Sequence, residues 1–260
     1  MRPVIHPAAG LPVGPLDDGV PAQHPGRPRL DGRFVTLVPL DPAAHGDDLF
    51  VASQGPDREA LWLYLNAGPF PERAAFDAYL ASVAGRDEPV TLAIVDNATG
   101  RAVGHLALMR IKPAHKVIEV GSILYTAALA RKPGGTEAIF LVARLVFETL
   151  GFVRFEWKCN ALNAPSRRAA LRFGFTFEGV FPRHMIQKGR ARDTAWFSML
   201  ASEWPAREAA FAAWLSPDNF DADGRQRTPL GALMAEAARR FPSDEREPVA
   251  GNAPPTEGAP

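Results

Sequence analysis

The chain has one cysteine, Cys159, in 260 residues. No intramolecular disulfide can form, and that count suits a reducing compartment. Charge of one sign is missing as well: 29 Lys and Arg residues balance 29 Asp and Glu residues, for a formal net charge of +0. A dedicated nucleic-acid binder would carry a clear basic excess, so zero net charge argues against that class. No apolar run approaches the roughly 18 residues needed to span a membrane. Pro3, Pro7, Pro12 and Pro15 interrupt the place where a signal peptide would have its apolar stretch. The cytoplasm is the expected compartment. His105, His115 and His184 have no ligand spacing with acids or cysteines, so no metal site is expected. Tyrosine is scarce too, with only Tyr64, Tyr79 and Tyr125.

What is present suits a globular protein. Hydrophobic residues make up 47% of the chain. The length allows one domain with a sizeable core plus extensions, or two small domains. Residues 1–29 are Pro- and Gly-rich without periodicity and read as a loose N-terminal arm. Strands are expected at Leu30–Leu40, Val90–Val95, Ala102–Ile111 and Val117–Leu124, the last with Gly121 inside it, a mark of a bulge or close backbone approach. Helices are expected from Asp41-Pro42 to about Ser53, at Arg58–Leu65 and at Glu72–Ala84. A central helix runs from Thr136 to the Gly151 stop, with Ile139, Val142, Leu145, Val146 and Leu150 as its apolar stripe. Strand Phe152–Cys159, a helix opened by Asn163-Ala164-Pro165-Ser166 and ended by Gly174, and strands Phe175–Val180 and Thr194–Leu200 follow. A polar, basic connection containing Lys188-Gly189-Arg190 joins those last two strands. A helix from Trp204 to about Leu215 and a small one around Leu230–Ala237 make a helical extension over 206–242, and the tail from 243 to 260 has a disordered composition. This order is an α/β pattern with a mixed sheet, and residues 117–159 form its βαβ unit. The catalytic or binding domain is expected over residues 30–205.

The stretch Ala130–Gly151 is the natural ligand site. A short loop with Gly134 and Gly135 runs into the central helix at the carboxyl end of a strand, where open α/β sheets place ligands. Helix starts leave backbone N–H groups unpaired and positive, so phosphate fits there. The competing reading is a plain turn ahead of a core helix.

Taken in order, several segments resemble the GCN5-related N-acetyltransferases, with the ribosomal-protein alanine/serine N-acetyltransferases as the branch most alike. They are Ile118-Glu119-Val120-Gly121, Gly134-Gly135-Thr136-Glu137-Ala138, Glu156-Trp157-Lys158-Cys159-Asn160, Asn163 through Ala170, and Phe173-Gly174-Phe175. The resemblance spans about Leu30–Pro205. It implies a mixed, mostly antiparallel sheet flanked by helices, and acetyl-coenzyme A as cosubstrate. It implies an amine acceptor, either a protein N-terminus or a small molecule, attacked directly. The family loop pattern is matched incompletely: Pro133 stands where a glycine is usual, and proline has no N–H. The amides of Arg131, Lys132, Gly134, Gly135 and Thr136 are then the implied pyrophosphate donors. Arg131 and Lys132 add charge. Asn163 is implied to contact the pantetheine or diphosphate arm, with helix capping as its alternative role. Arg167, Arg168 and Arg172 on the same helix read first as a solvated charged face.

Amine acetylation needs a base for the amine proton, donors for the oxyanion and an acid for the thiolate. Glu119 is the implied base, with apolar strand neighbours expected around it. Its alternative is a structural pair with an arginine. Backbone N–H groups from Gly121 to Ile123 are the implied oxyanion donors. Many relatives protonate the thiolate with a tyrosine on the Asn163 helix. No tyrosine lies there, so Ser166 takes that place. Cys159 alternates with Phe155 and Trp157 and reads as core rather than nucleophile. Trp62, Phe70 and His184 are candidates to line the acceptor pocket, Trp62 and Phe70 being equally readable as core. The rival to an enzyme is a non-catalytic coenzyme A-binding or scaffold protein of the same fold. Oligomeric state is not legible.

Overall fold

The computed structural model describes residues 3–243. Strands β1 (Val4–Ile5) and β2 (Pro12–Val13) form a small hairpin. The domain follows: β3 (Leu30–Asp31), β4 (Val35–Pro39), α1 (Pro42–Ala52), α2 (Arg58–Trp62), α3 (Arg73–Val83), β5 (Val90–Asp96) and β6 (Ala102–Lys112). Then come β7 (Val117–Tyr125), α4 (Pro133–Arg144), β8 (Arg154–Asn160), α5 (Ala164–Arg172), β9 (Thr176–Gln187) and β10 (Arg190–Leu200). Helices α6 (Trp204–Leu215) and α7 (Leu230–Arg240) finish it.

Eight strands make one sheet in the order β3-β4-β5-β6-β7-β8-β10-β9. Every neighbouring pair is antiparallel except β7 with β8. Side chains alternate along each strand, so each strand feeds both faces of the sheet. Val90, Leu92 and Ile94 enter the larger core with α4, α6 and α7, while Ala93 enters a second core with Leu49, Trp62, Phe76 and Leu80 of α1–α3. Burial of such side chains stabilises by roughly 1.5–3 kcal/mol each. α7 adds Leu230, Met234 and Ala237 to the larger core, so the C-terminal extension packs on the same domain.

Three expectations change. The N-terminal arm is laid along the domain: Ala22 and Gln23 donate backbone hydrogen bonds to Pro113 and Leu150, and Lys116 pairs with Asp17 and Asp18. Composition alone misses this, because these contacts are to residues roughly 90 to 130 positions away. The basic connection near Lys188 is a tight turn between two long strands. Lys188 (φ 47°) and Gly189 (φ 73°) both take the left-handed conformation that a two-residue hairpin turn requires. The central helix begins at Pro133 rather than Thr136, and its last residues, Leu145–Thr149, widen into a π turn. Of the tail expected over 243–260, all but Ser243 lies outside the described residues.

Candidate active site

The parallel ladder between β7 and β8 runs only from Val117/Arg154 to Val120/Trp157. Both strands continue, but with different partners. β7 follows β6 to the pair Gly104–Tyr125, and β8 follows β10 to the pair Asn160–Thr194. The two strands therefore part, leaving facing stretches of backbone without a ladder between them. Unpaired strand edges accept an extended, amide-bearing ligand. At the point of parting β7 carries a bulge. Between the pairs Ala107–Gly121 and His105–Leu124 it holds one extra residue, and Ser122 has φ 48°. At Gly121 the Met109 side chain lies over the backbone, and a Cβ would sit 2.6 Å from Met109 Sδ, so that flexible side chain would have to move.

Beyond β7 the chain turns tightly into α4. The Thr126 carbonyl accepts from the N–H groups of Leu129 (2.9 Å) and Ala130 (2.8 Å), and Arg131 adopts φ 62°. Lys132 N–H donates to Leu129 O and Gly135 N–H to Lys132 O, each at 3.2 Å. The two glycines serve packing. A Cβ on Gly134 would lie 2.6 Å from Val35 Cγ1, and one on Gly135 would lie 3.0 Å from Tyr125 Cε2. The Tyr125 hydroxyl donates to Gly135 O at 2.8 Å, and burial raises its pKa. Gly134, Gly135 and Thr136 are buried, whereas Arg131 and Lys132 are exposed at the helix start. Thr136 Oγ1 accepts from Arg172 Nη1 at 2.9 Å. Arg172 also covers the Trp214 ring, so it is a packed residue rather than part of a solvated face. Burial lowers its pKa.

Glu119 lies beside the bulge, only 3% exposed. Cross-strand partners share a face, so Met109, Glu119, Glu156 and Ser198 line up on the side of α1–α3. Its expected apolar surround is absent. Glu119 Oε2 meets Arg110 Nη1 at 2.7 Å and Lys158 Nζ at 3.0 Å. Lys158 also pairs with Glu156 at 2.7 Å and stands 3.8 Å above the Trp196 ring. Arg154 joins Glu156 to Glu178 with contacts of 2.7 and 2.6 Å. A buried charge is tolerated when paired in this way.

On the opposite side of β8, Asn163 caps α5: its Oδ1 accepts from Ser166 N–H at 3.1 Å. The Ser166 hydroxyl accepts from Trp157 Nε1 at 3.0 Å, which leaves the Ser166 proton available to donate. Cys159 is buried beside it. Burial pushes the thiol pKa up, and the Ser166 hydrogen bond with the nearby Arg192 and Arg167 charges offsets part of that rise. Cys159 is core, as its alternation with Phe155 and Trp157 implies.

A family model described as an acetyltransferase (GNAT) domain matches residues 35–176, more than half of the chain. The chain belongs to the GNAT acetyltransferase family. A GCN5-related N-acetyltransferase from Brucella melitensis is 47% identical in sequence, with a TM-score of 0.83 over 85% of this chain and 100% of that one. A probable GNAT-family acetyltransferase from Chromobacterium violaceum is 38% identical, with a TM-score of 0.69 over 75% and 97% of the two chains. A ribosomal L7/L12 alpha-N-protein acetyltransferase is 15% identical, at TM-score 0.58 over 67% and 94%, a likeness of fold alone. A search of the curated proteins finds no match.

Within this GNAT frame Glu119, Gly121 and Ile123 lie on β7, Asn163 caps α5, and Ser166 lies in the first turn of that helix. Arg131 and Lys132 mark the start of α4. Trp62 departs from its candidate place in the acceptor pocket. It is fully buried, with edge-on contacts to Phe70 (5.1 Å), Phe76 (6.4 Å) and Tyr79 (5.7 Å), so it holds the second core together and lines no pocket. Phe70 is half-buried and stacks on Tyr79 at 4.9 Å. His184 is exposed on β9 rather than in a loop, with Nδ1 3.0 Å from Thr194 Oγ1 and its ring beside Phe181 and Trp196. The hairpin tip clasps the α2 segment, as Lys188 Nζ donates to Trp62 O and Gln187 Nε2 to Tyr64 O. Residue types alone did not reveal Arg110, Lys158 and Arg192. Lys158 was legible only as a charge inside an apolar strand, directly beside Cys159. The role of Glu137 has no local signal either. Its carboxylate accepts from the N–H groups of Arg33, Phe34 and Val35 and fixes the turn into β4.

Proposed function

We propose that this acetyltransferase moves an acetyl group from acetyl-coenzyme A to an amine by direct attack, with no acyl-enzyme. The observation that carries the reading is the parting of β7 and β8 beyond Val120/Trp157, with a carboxylate on one flank and a hydroxyl on the other. The residues fit the cosubstrate. The open strand edges offer N–H and C=O groups to the amides of a pantetheine arm, and Arg131 and Lys132 at the start of α4 offer charge to a diphosphate. Gly134, Gly135 and Thr136 shape that helix start, and Asn163 borders the opening with its amide nitrogen. Acetyl-coenzyme A, when bound, supplies the activated thioester.

The chain's own groups do the rest. Glu119 takes the proton that the acceptor amine must lose, held in place by Arg110 and Lys158. Backbone N–H groups at the Gly121–Ile123 bulge face the carbonyl oxygen as negative charge builds on it. The Ser166 hydroxyl, fixed by the Trp157 indole, donates to the departing sulfur. Phe70 and His184 border the acceptor side. The acceptor is a small-molecule or peptide amine, and the compartment is the cytoplasm. Nucleic acid and membrane are not partners in this reading.

Thiol release from acetyl-coenzyme A with an amine panel tests it, alongside coenzyme A binding by calorimetry. Glu119→Gln is expected to lower kcat/KM by 10²–10⁴-fold, the usual contribution of a general base. Ser166→Ala is expected to lower kcat more than it raises KM. Absence of coenzyme A binding sinks the proposal. Binding without turnover on any amine would instead favour a coenzyme A-binding protein of the same fold.

A further inference from the structure

The charges around Glu119 do not balance. Arg110, Arg154 and Lys158 are each matched to Glu119, Glu156 or Glu178 through contacts of 3.0 Å or less. Arg192 is a further cation in the same field. It lies on β10 four residues before Trp196, and so on the same face of the sheet as Trp196, as the cross-strand partner Lys158 and as Glu119, with which Lys158 pairs. No carboxylate among the described residues forms a salt bridge with it. Its Nη1 reaches only Gln187 Oε1, at 3.5 Å, and its Nε is buried with no hydrogen-bond partner. Trp196, the ring under Lys158, likewise has a buried Nε1 with no partner. Guanidinium and indole N–H groups can only donate. A buried donor without an acceptor is unfavourable, more so when charged, and a ligand with acceptor oxygens would satisfy it.

We propose that the acceptor taken at this site is an amine that also carries an anionic group, a carboxylate or a phosphate, which Arg192 binds while the amine faces Glu119. The inference rests on the acetyl-transfer reading above and names its substrate class. Arginine suits both anions because its planar fork gives two parallel donors. Polycationic amines are disfavoured, since a second positive charge would meet Arg110, Lys158 and Arg192 together.

Two amine pairs test it: O-phosphoethanolamine against ethanolamine, and 4-aminobutyrate against 4-aminobutanamide. In thiol-release assays the anionic member of at least one pair is expected to have a tenfold or greater advantage in kcat/KM, and the pair that shows it tells phosphate from carboxylate. Arg192→Gln is expected to collapse that advantage to within threefold. A second measurement needs no turnover and no variant. Phenylglyoxal modification of Arg192, read by peptide mass spectrometry, is expected to slow at least threefold with O-phosphoethanolamine or 4-aminobutyrate and to be unchanged by the neutral amines. Equal or greater kcat/KM for the neutral members overturns the inference, as does protection by coenzyme A alone with none by the anionic amines. Protection without thiol release on any amine leaves the anion site standing and removes the acetyl-transfer reading. Release with no anionic preference and no protection does the reverse.

Discussion

Glu137 gives the sharpest test of how the site is held together. Its Oε1 accepts from Arg33 N–H at 2.7 Å, and its Oε2 accepts from Phe34 N–H at 2.6 Å and Val35 N–H at 2.9 Å. Gly32 makes room for this: a Cβ there would lie 2.6 Å from the carboxylate. Glu137 thereby ties the first turns of α4 to the start of β4. Glu137→Gln keeps the shape but not the chemistry. With its oxygen toward Phe34 and Val35, the amide nitrogen faces the Arg33 N–H, donor against donor. Two bonds lose their charge assistance and one is lost outright, for a destabilisation of roughly 2 kcal/mol. Glu137→Ala also orphans the fully buried Val35 N–H and leaves a cavity, so roughly 4 kcal/mol is expected. Urea unfolding reads both. With an m-value of about 3 kcal/mol/M the Gln variant loses about 0.7 M in midpoint and the Ala variant about twice that. A Gln variant that unfolds within about 0.2 M of wild type would refute the claim that an acceptor-only group is needed at this position.

Three other outcomes follow from the geometry. Trp62→Ala is expected to destabilise by about 3–5 kcal/mol, because the ring is a fully enclosed core element; a variant of near-normal stability with an altered acceptor preference would contradict that. Gly134→Ala drives a Cβ toward Val35 Cγ1 and is expected to lower stability by about 1–3 kcal/mol while leaving coenzyme A affinity within about threefold; loss of affinity at unchanged stability would show the glycine serving the ligand instead. His105 is fully buried, and burial lowers its pKa from 6.5 to about 4, so the unfolded chain binds the extra proton between those values. Its contribution is therefore complete above pH 6.5 and is lost as pH falls toward 4, by up to about 3 kcal/mol; the decline in urea midpoint from pH 7 to 4.5 should shrink in His105→Gln, and an identical decline in both proteins would be evidence against it.

The candidate site was legible where local rules act and illegible where distant strands meet. Asn163 reads as a cap from its place before Ala164-Pro165, and it caps in the structure. Gly121 reads as a bulge or close approach, and Met109 Sδ fills the space its Cβ would take. The loop glycines read as a phosphate cradle, yet Val35 and Tyr125 account for their missing side chains. Nothing near Gly134 in sequence announces Val35, which is why the packing role was hidden. Strand position points to Glu119, but ion pairs with Arg110 and Lys158 replace the expected apolar surround. Arg110 comes from β6 and Lys158 from β8, and only the sheet order makes them neighbours.

Most elements of the domain and their order follow from local residue patterns, the N-terminal hairpin and the far half of β9 being the exceptions. Alternation, helical spacing, caps and turn residues are set within a few positions of the chain, so the mixed α/β pattern and its central βαβ unit could be read directly. The tertiary structure alone decided which charges face one another and which donors stay unpaired. It also decided that the N-terminal arm lies against the domain and that Trp62 is walled in by Phe70, Phe76 and Tyr79. These depend on strand register and on contacts between residues tens to a hundred positions apart. Local propensity carries no information about such contacts, because side-chain packing and electrostatics act through space rather than along the chain.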